Sequence, residues 1–170
     1  MKLDETDIKI LRLLQENGKI TNVQLSTDVN LSPAPTLERV KKLESLGYIT
    51  SYHAKLNPEK IGLQLIVFVE VGFNLGFGAS LDTFIEQLKG YEEVTECYHT
   101  TGEYDLLLKV FAPNINSYQT FVMEKLIHSR CISKINSKIV LSVSKDTLIY
   151  PLTPIEESIK KRINIESSRL

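Results

Sequence analysis

The stretch Ser32-Pro-Ala-Pro-Thr-Leu-Glu-Arg-Val-Lys-Lys-Leu-Glu-Ser-Leu-Gly47 marks one short helix at both ends. Ser32 suits the N-cap. Pro33 suits the first helical position, where its missing N–H would have had no intrahelical partner, and Pro35 still lies in the first turn. Gly47 suits a left-handed C-cap. Leu37, Val40 and Leu43 recur at helical spacing, with Leu46 closing the apolar stripe. The opposite side is then expected to carry Thr36, Arg39 and Lys42, flanked by Lys41.

Two other helices come first. Asp4 and Asp7 have the spacing of an N-terminal cap, and Leu3 can pack on Ile8 across it. Ile8, Leu11 and Leu14 then share a face, and Asn17-Gly18 stops the helix. Thr21 through Gln24 repeats a capping pattern, with Ile20 and Leu25 as its staple. Ile49 to Leu56 alternates weakly, as an exposed wing strand would. Three short helices and a wing describe a winged helix-turn-helix over residues 1–56, whose third helix would enter the major groove of duplex DNA. Arg39 and Lys42 are candidates for phosphate or guanine contacts. Charge argues the other way. Met1 to Thr50 holds seven Lys or Arg against seven Asp or Glu, and the whole chain has a formal charge of −1. A packing module with a solvated polar face would read the same.

Residues 57–63, with Pro58 and Gly62, form a connector. The pattern then changes. Gln64 to Phe73 is rich in β-formers, Ser80 to Lys89 has helical spacing behind a Ser80 cap, and Val94–His99 and Asp105–Phe111 are strands around Gly102. A helix is expected from Asn114 to His128, with Ile115, Tyr118, Val122 and Leu126 on one face, and a last strand over Ile132 to Val143. The order β-α-β-β-α-β over 64–150 is the ferredoxin-like motif, giving an α+β chain. Two helices cover one side of such a sheet. Apolar residues on both faces of Leu65–Val69 point to a second subunit on the other side, unless that face is polar and uncovered. In the turn Thr100-Thr-Gly-Glu-Tyr-Asp105, Gly102 suits a positive φ. Hydroxyls, backbone N–H groups and the carboxylates of Glu103 or Asp105 could hold a small zwitterion, although a ligand-free polar hairpin explains the same residues.

The 170 residues, 42% of them apolar, suffice for one domain or two small ones and exclude general disorder. Cys97 and Cys131 lack metal-ligand spacing. The N-terminus has no signal-like apolar core, and the apolar run Leu65 to Val69 is too short for a bilayer. A cytoplasmic protein with no membrane contact, no cofactor and no metal is expected. His53, His99 and His128, with Arg130 beside the last, fall on different elements and form no catalytic cluster, so no enzyme is expected.

The whole layout, from about Leu3 to Leu152, resembles the leucine-responsive and asparagine-type (Lrp/AsnC, feast/famine) transcription regulators. The resemblance rests on Leu3-Asp-Glu-Thr-Asp-Ile-Lys-Ile-Leu, on Leu31 through Glu44, on Gly47-Tyr-Ile, on Leu56-Asn-Pro, and on Glu96 through Val110. It implies operator binding through Ser32, Pro35, Thr36, Arg39 and Lys42. It also implies homodimers formed through the sheet and assembling to tetramers or octamers, and a free amino acid bound at the dimer–dimer interface near Thr100, Thr101, Gly102, Glu103, Tyr104 and Asp105. Glu103 stands where the family commonly has aspartate. Two rivals are an architectural DNA-binding protein without an effector and a haem-precursor decarboxylase of similar layout. Residues 151–170 extend past the family pattern, and Ile155 through Ile165 could form an amphipathic helix started by Pro154 or fray as a tail.

Overall fold

A computed structural model describes residues 3–73, 81–129, 131–153 and 155–157. The chain divides into two compact units, Met1–Ala54 with Lys145–Leu170, and Lys55–Ser144.

The first unit holds α1 (Glu5–Glu16), α2 (Asn22–Asp28) and α3 (Pro33–Ser45). The α1 cap is reciprocal. Asp7 N–H donates to Asp4 Oδ1 at 2.8 Å, and Asp4 N–H donates to Asp7 Oδ2 at 3.1 Å. Leu3 and Ile8 are both buried beside it, completing the staple. Thr21 caps α2 by accepting from Gln24 N–H at 3.1 Å. The turn into α3 places Asn30 at φ 57°, and Leu31 N–H reaches back to Ser26 O at 2.9 Å. Ile8, Ile10, Leu11, Leu25, Val29 and Leu43 form the core of the unit.

The expected wing strand is not present. Residues 50–56 form no ladder, and this unit offers no second strand among the described residues. An isolated strand leaves its backbone groups to water. Tyr52 instead donates its hydroxyl to Glu44 at 2.9 Å. Its phenol is pushed up to about 12, by burial first and then by that carboxylate.

The tail belongs with the first unit. Leu152 and Ile155 pack against its core, Tyr150 N–H donates to Gln15 Oε1 at 2.7 Å, and Arg12 pairs with Glu156. Residues 155–157 are helical. Pro154 and residues 158–165 of the expected helix lie outside the described residues.

The second unit is one antiparallel sheet in the order β2-β3-β1-β4. The strands are β1 (Leu65–Phe73), β2 (Val94–His99), β3 (Leu106–Ala112) and β4 (Ile132–Ile139), and the helices are α4 (Leu81–Leu88) and α5 (Ile115–Phe121). The Ser80 cap lies outside the described residues. Val67, Val69, Val71, Leu106, Leu108, Val110, Phe84, Leu88 and Phe121 make the core between sheet and helices. β4 is shorter than its alternation suggests. Val140 N–H still bonds Ile66 O at 3.0 Å, after which β1 has almost no chain left to pair, and Leu141 is exposed. The long helix expected up to His128 is α5 followed by a π segment, Val122–Leu126. Ile127 N–H bonds Val122 O at 2.9 Å, a five-residue step. That step brings Phe121 and Leu126, five residues apart, to the same buried side. Ile115, expected on this face, is exposed.

Candidate nucleic-acid interface and small-molecule cleft

Helix α3 ends as its sequence predicts. Gly47 has φ 74°, Gly47 N–H bonds Glu44 O at 2.9 Å, and Tyr48 N–H bonds Leu43 O at 2.9 Å. These two bonds are the Schellman pair. At the other end Ser32 occupies the N-cap, but its side chain makes no capping bond. The third helical position, which usually donates to such a cap, is Pro35 and has no N–H.

The helix is rotated relative to the sequence expectation. Thr36 is fully buried, and its hydroxyl donates to Ser32 O at 2.9 Å. Arg39 also turns inward, donating to Asp4 at 2.7 Å and to Asp7 at 2.6 Å. The expectation that Thr36, Arg39 and Lys42 project together is therefore corrected. The reasons are local: a Thr with a satisfied hydroxyl buries like a small apolar residue, and the buried Asp7 carboxylate needs a cation. Arg39 is raised above its ordinary value chiefly by its bonds to Asp7 and Asp4. Leu37, expected inside, is 43% exposed. Ser32, Lys41 and Lys42 are exposed and Pro35 is half-buried.

In the second unit, the turn from Thr100 to Asp105 borders a cleft of about 520 Å³. Its walls are Thr100, Thr101, Glu103 and Tyr104 from the turn, Leu107 from β3, Glu70 from β1, and Asn136 and Lys138 from β4. Gly102 has φ 114°, as the tight turn requires. Thr100 Oγ1 donates to Tyr104 O at 3.0 Å. Lys134 bonds Glu103 at 2.9 Å and lies 4.6 Å from the centroid of the Tyr104 ring. Asp105 is already engaged: its carboxylate accepts Phe73 N–H at 2.7 Å and its own N–H bonds Val71 O at 3.0 Å. One oxygen of this exposed carboxylate thus pins the turn to β1.

Glu70, Asn136 and Lys138 had no signal in the sequence. Strand pairing of β1 with β4 brings them together. Lys138 donates to Glu70 Oε1 at 2.5 Å and Asn136 to Glu70 Oε2 at 2.8 Å. These two bonds, Lys138 first, hold the Glu70 carboxyl below its ordinary value. Around this polar group the same sheet face carries Ile66, Phe68, Leu107 and Phe111, all half-buried in the single chain. No group of three His, Cys, Asp or Glu side chains converges as for a metal ion among the described residues. No helix of the described residues is long and apolar enough to cross a membrane.

Comparison with known proteins agrees with both units. Residues 3–50 match the winged helix-turn-helix DNA-binding domain, and residues 66–149 match the Lrp/AsnC ligand binding domain. The leucine-responsive regulatory protein of Escherichia coli strain K12 is 37% identical over 145 residues, covering 85% of this chain and 88% of that protein. A transcriptional regulator from Neisseria meningitidis, solved as an L-Met complex, is 39% identical with a TM-score of 0.85, covering 90% of this chain and 99% of that one. An AsnC family transcriptional regulator from Agrobacterium tumefaciens is 31% identical with a TM-score of 0.82, covering 89% and 99%. With both domains matched in order and relatives aligned along nearly their full length, this chain belongs to the Lrp/AsnC family of DNA-binding transcription regulators.

Proposed function

We infer that the chain is a sequence-specific regulator whose DNA binding responds to a free amino acid held in the cleft beside the Thr100–Asp105 turn. The convergence of that turn with Glu70, Asn136 and Lys138 carries this reading. A zwitterion needs one group of each sign within a few ångströms, and Lys138 with Glu70 or Glu103 supplies both. Tyr104 and Leu107 give the less polar wall that a neutral side chain would meet. Thr100, Thr101 and the backbone around Gly102 complete the donors. The Neisseria relative, solved with L-Met, and relatives named leucine-responsive make methionine and leucine the first amino acids to test.

Oligomerisation follows from the open sheet face. Ile66, Phe68, Leu107 and Phe111 are best covered by a second copy, giving a homodimer. A dimer presents two α3 helices, one to each half-site, and further assembly to tetramers or octamers would raise affinity through multivalency. Ser32 and Lys42 remain at the exposed side of α3 as DNA contacts in this reading.

Calorimetric titration of the purified chain with each amino acid, run beside operator gel shifts, tests the proposal. Binding of methionine or leucine that changes operator affinity, and that is lost in Lys138→Ala, is the expected result. Operator binding indifferent to every amino acid would leave an effector-independent architectural protein.

A further inference from the structure

The rotation of α3 changes which residues can meet a base. Thr36 and Leu43 are fully buried, so positions near 34, 38, 41 and 45 stand on the opposite side of the helix. Ala34, Glu38, Lys41 and Ser45 are exposed there, with Leu37 beside them at 43% exposure. Arg39 is held by two carboxylates of the α1 cap, at 2.7 and 2.6 Å. Both contacts use Nη1, which would have to abandon a buried aspartate to reach a guanine. Pro33 and Pro35 also remove two of the first N–H groups of the helix, so its N-terminus has few donors left for a phosphate.

We propose that α3 reads bases with Leu37 and Glu38, while Lys41 anchors phosphate and Arg39 positions the helix from inside the head. This rests on the DNA-binding reading and names its specificity residues. Leu37, together with Ala34, offers an apolar surface matched to the thymine C5 methyl group. Glu38 is an acceptor without a donor, which suits the exocyclic amine of cytosine and rejects the acceptor edge of guanine. Glu38 and Lys41 have no ion-pair partner among the described residues, so neither must break a bond to turn toward a duplex. A carboxylate on this face also repels phosphate, which disfavours non-specific binding and sharpens choice at the cost of affinity.

Selection of duplexes from a randomised pool by the full chain tests this. Wild type is expected to enrich a motif. Leu37→Ala and Glu38→Gln should each lower discrimination at one or two base positions, by about tenfold, with the rest of the motif kept. Lys41→Ala should weaken binding to all sequences alike and reduce the salt dependence. Arg39→Lys, which keeps a cation beside Asp7, should enrich the wild-type motif. The proposal is overturned if Leu37→Ala and Glu38→Gln select the wild-type motif unchanged, or if folded Arg39→Lys selects a different one. A wild-type chain that enriches no sequence overturns the sequence-specific reading itself, and this proposal with it.

Discussion

Asp7 is 1% exposed, and a carboxylate placed there must keep its partners. One oxygen accepts the Asp4 N–H and the other the Arg39 guanidinium. Arg39→Ala strands that charge, and the first unit is expected to lose about 2–4 kcal/mol. Urea unfolding followed by circular dichroism reads this as a lower midpoint with unchanged native helicity. The same cluster sets an acid response. Burial pushes the Asp4 carboxyl up, but the Asp7 N–H and the Arg39 guanidinium outweigh it and hold the group below its ordinary value. The folded pKa then lies under the unfolded one. This stabilisation is full above the unfolded value and is lost as pH falls through the folded one. In Arg39→Ala the acid limb of the stability profile should flatten. A limb of the same slope would mean that Arg39 does not cause it.

At the scale of elements, three helix ends and the order of the strands in the sheet were legible, the ends because their causes are local. The Asp4–Asp7 cap, the Thr21 cap and Gly47 each act within a few residues of where they stand. Gly47 gives a clean case: no atom lies within 4 Å of where a Cβ would sit, so only its φ of 74° resists substitution. Gly47→Ala is expected to cost about 1–2 kcal/mol by thermal unfolding, with no change in packing. The rotation of α3 was hidden because its cause is distant. Apolar periodicity ranks Leu37 above Thr36 for burial, and nothing near Arg39 announces a partner 32 residues earlier in the chain. The cleft was half visible for the same reason. Its turn is contiguous, whereas Glu70, Asn136 and Lys138 meet only once β1 and β4 are in register. The π segment after α5 escaped notice because a five-residue step mimics an irregular helical stripe.

For the whole molecule, the two units differ in how their apolar surfaces are covered. The second unit leaves Phe68 and Phe111 half-covered on its open sheet face, where a further cation opposite Lys109, itself paired with Glu96, would be left unpaired against a second copy. Phe68→Lys should therefore convert the proposed homodimer to monomers in sedimentation velocity, and an unchanged sedimentation coefficient would rule this face out as the contact between copies. The first unit is closed by a later segment of the chain, since Leu152 and Ile155 pack on the core formed by α1, α2 and α3. Tyr150 and Gln15 exchange two bonds, at 2.7 and 3.3 Å, which fixes the backbone leading into that contact. The family match ends at residue 149, short of Leu152 and Ile155. Partial burial of two aliphatic side chains is worth about 1–3 kcal/mol. Leu152→Ser with Ile155→Ser should accordingly speed amide exchange in α1 by about tenfold or more, while amides of β1 and β3 keep their protection. Equal acceleration in both units would show that the tail stabilises more than the head, and no acceleration in α1 would show that it merely rests there.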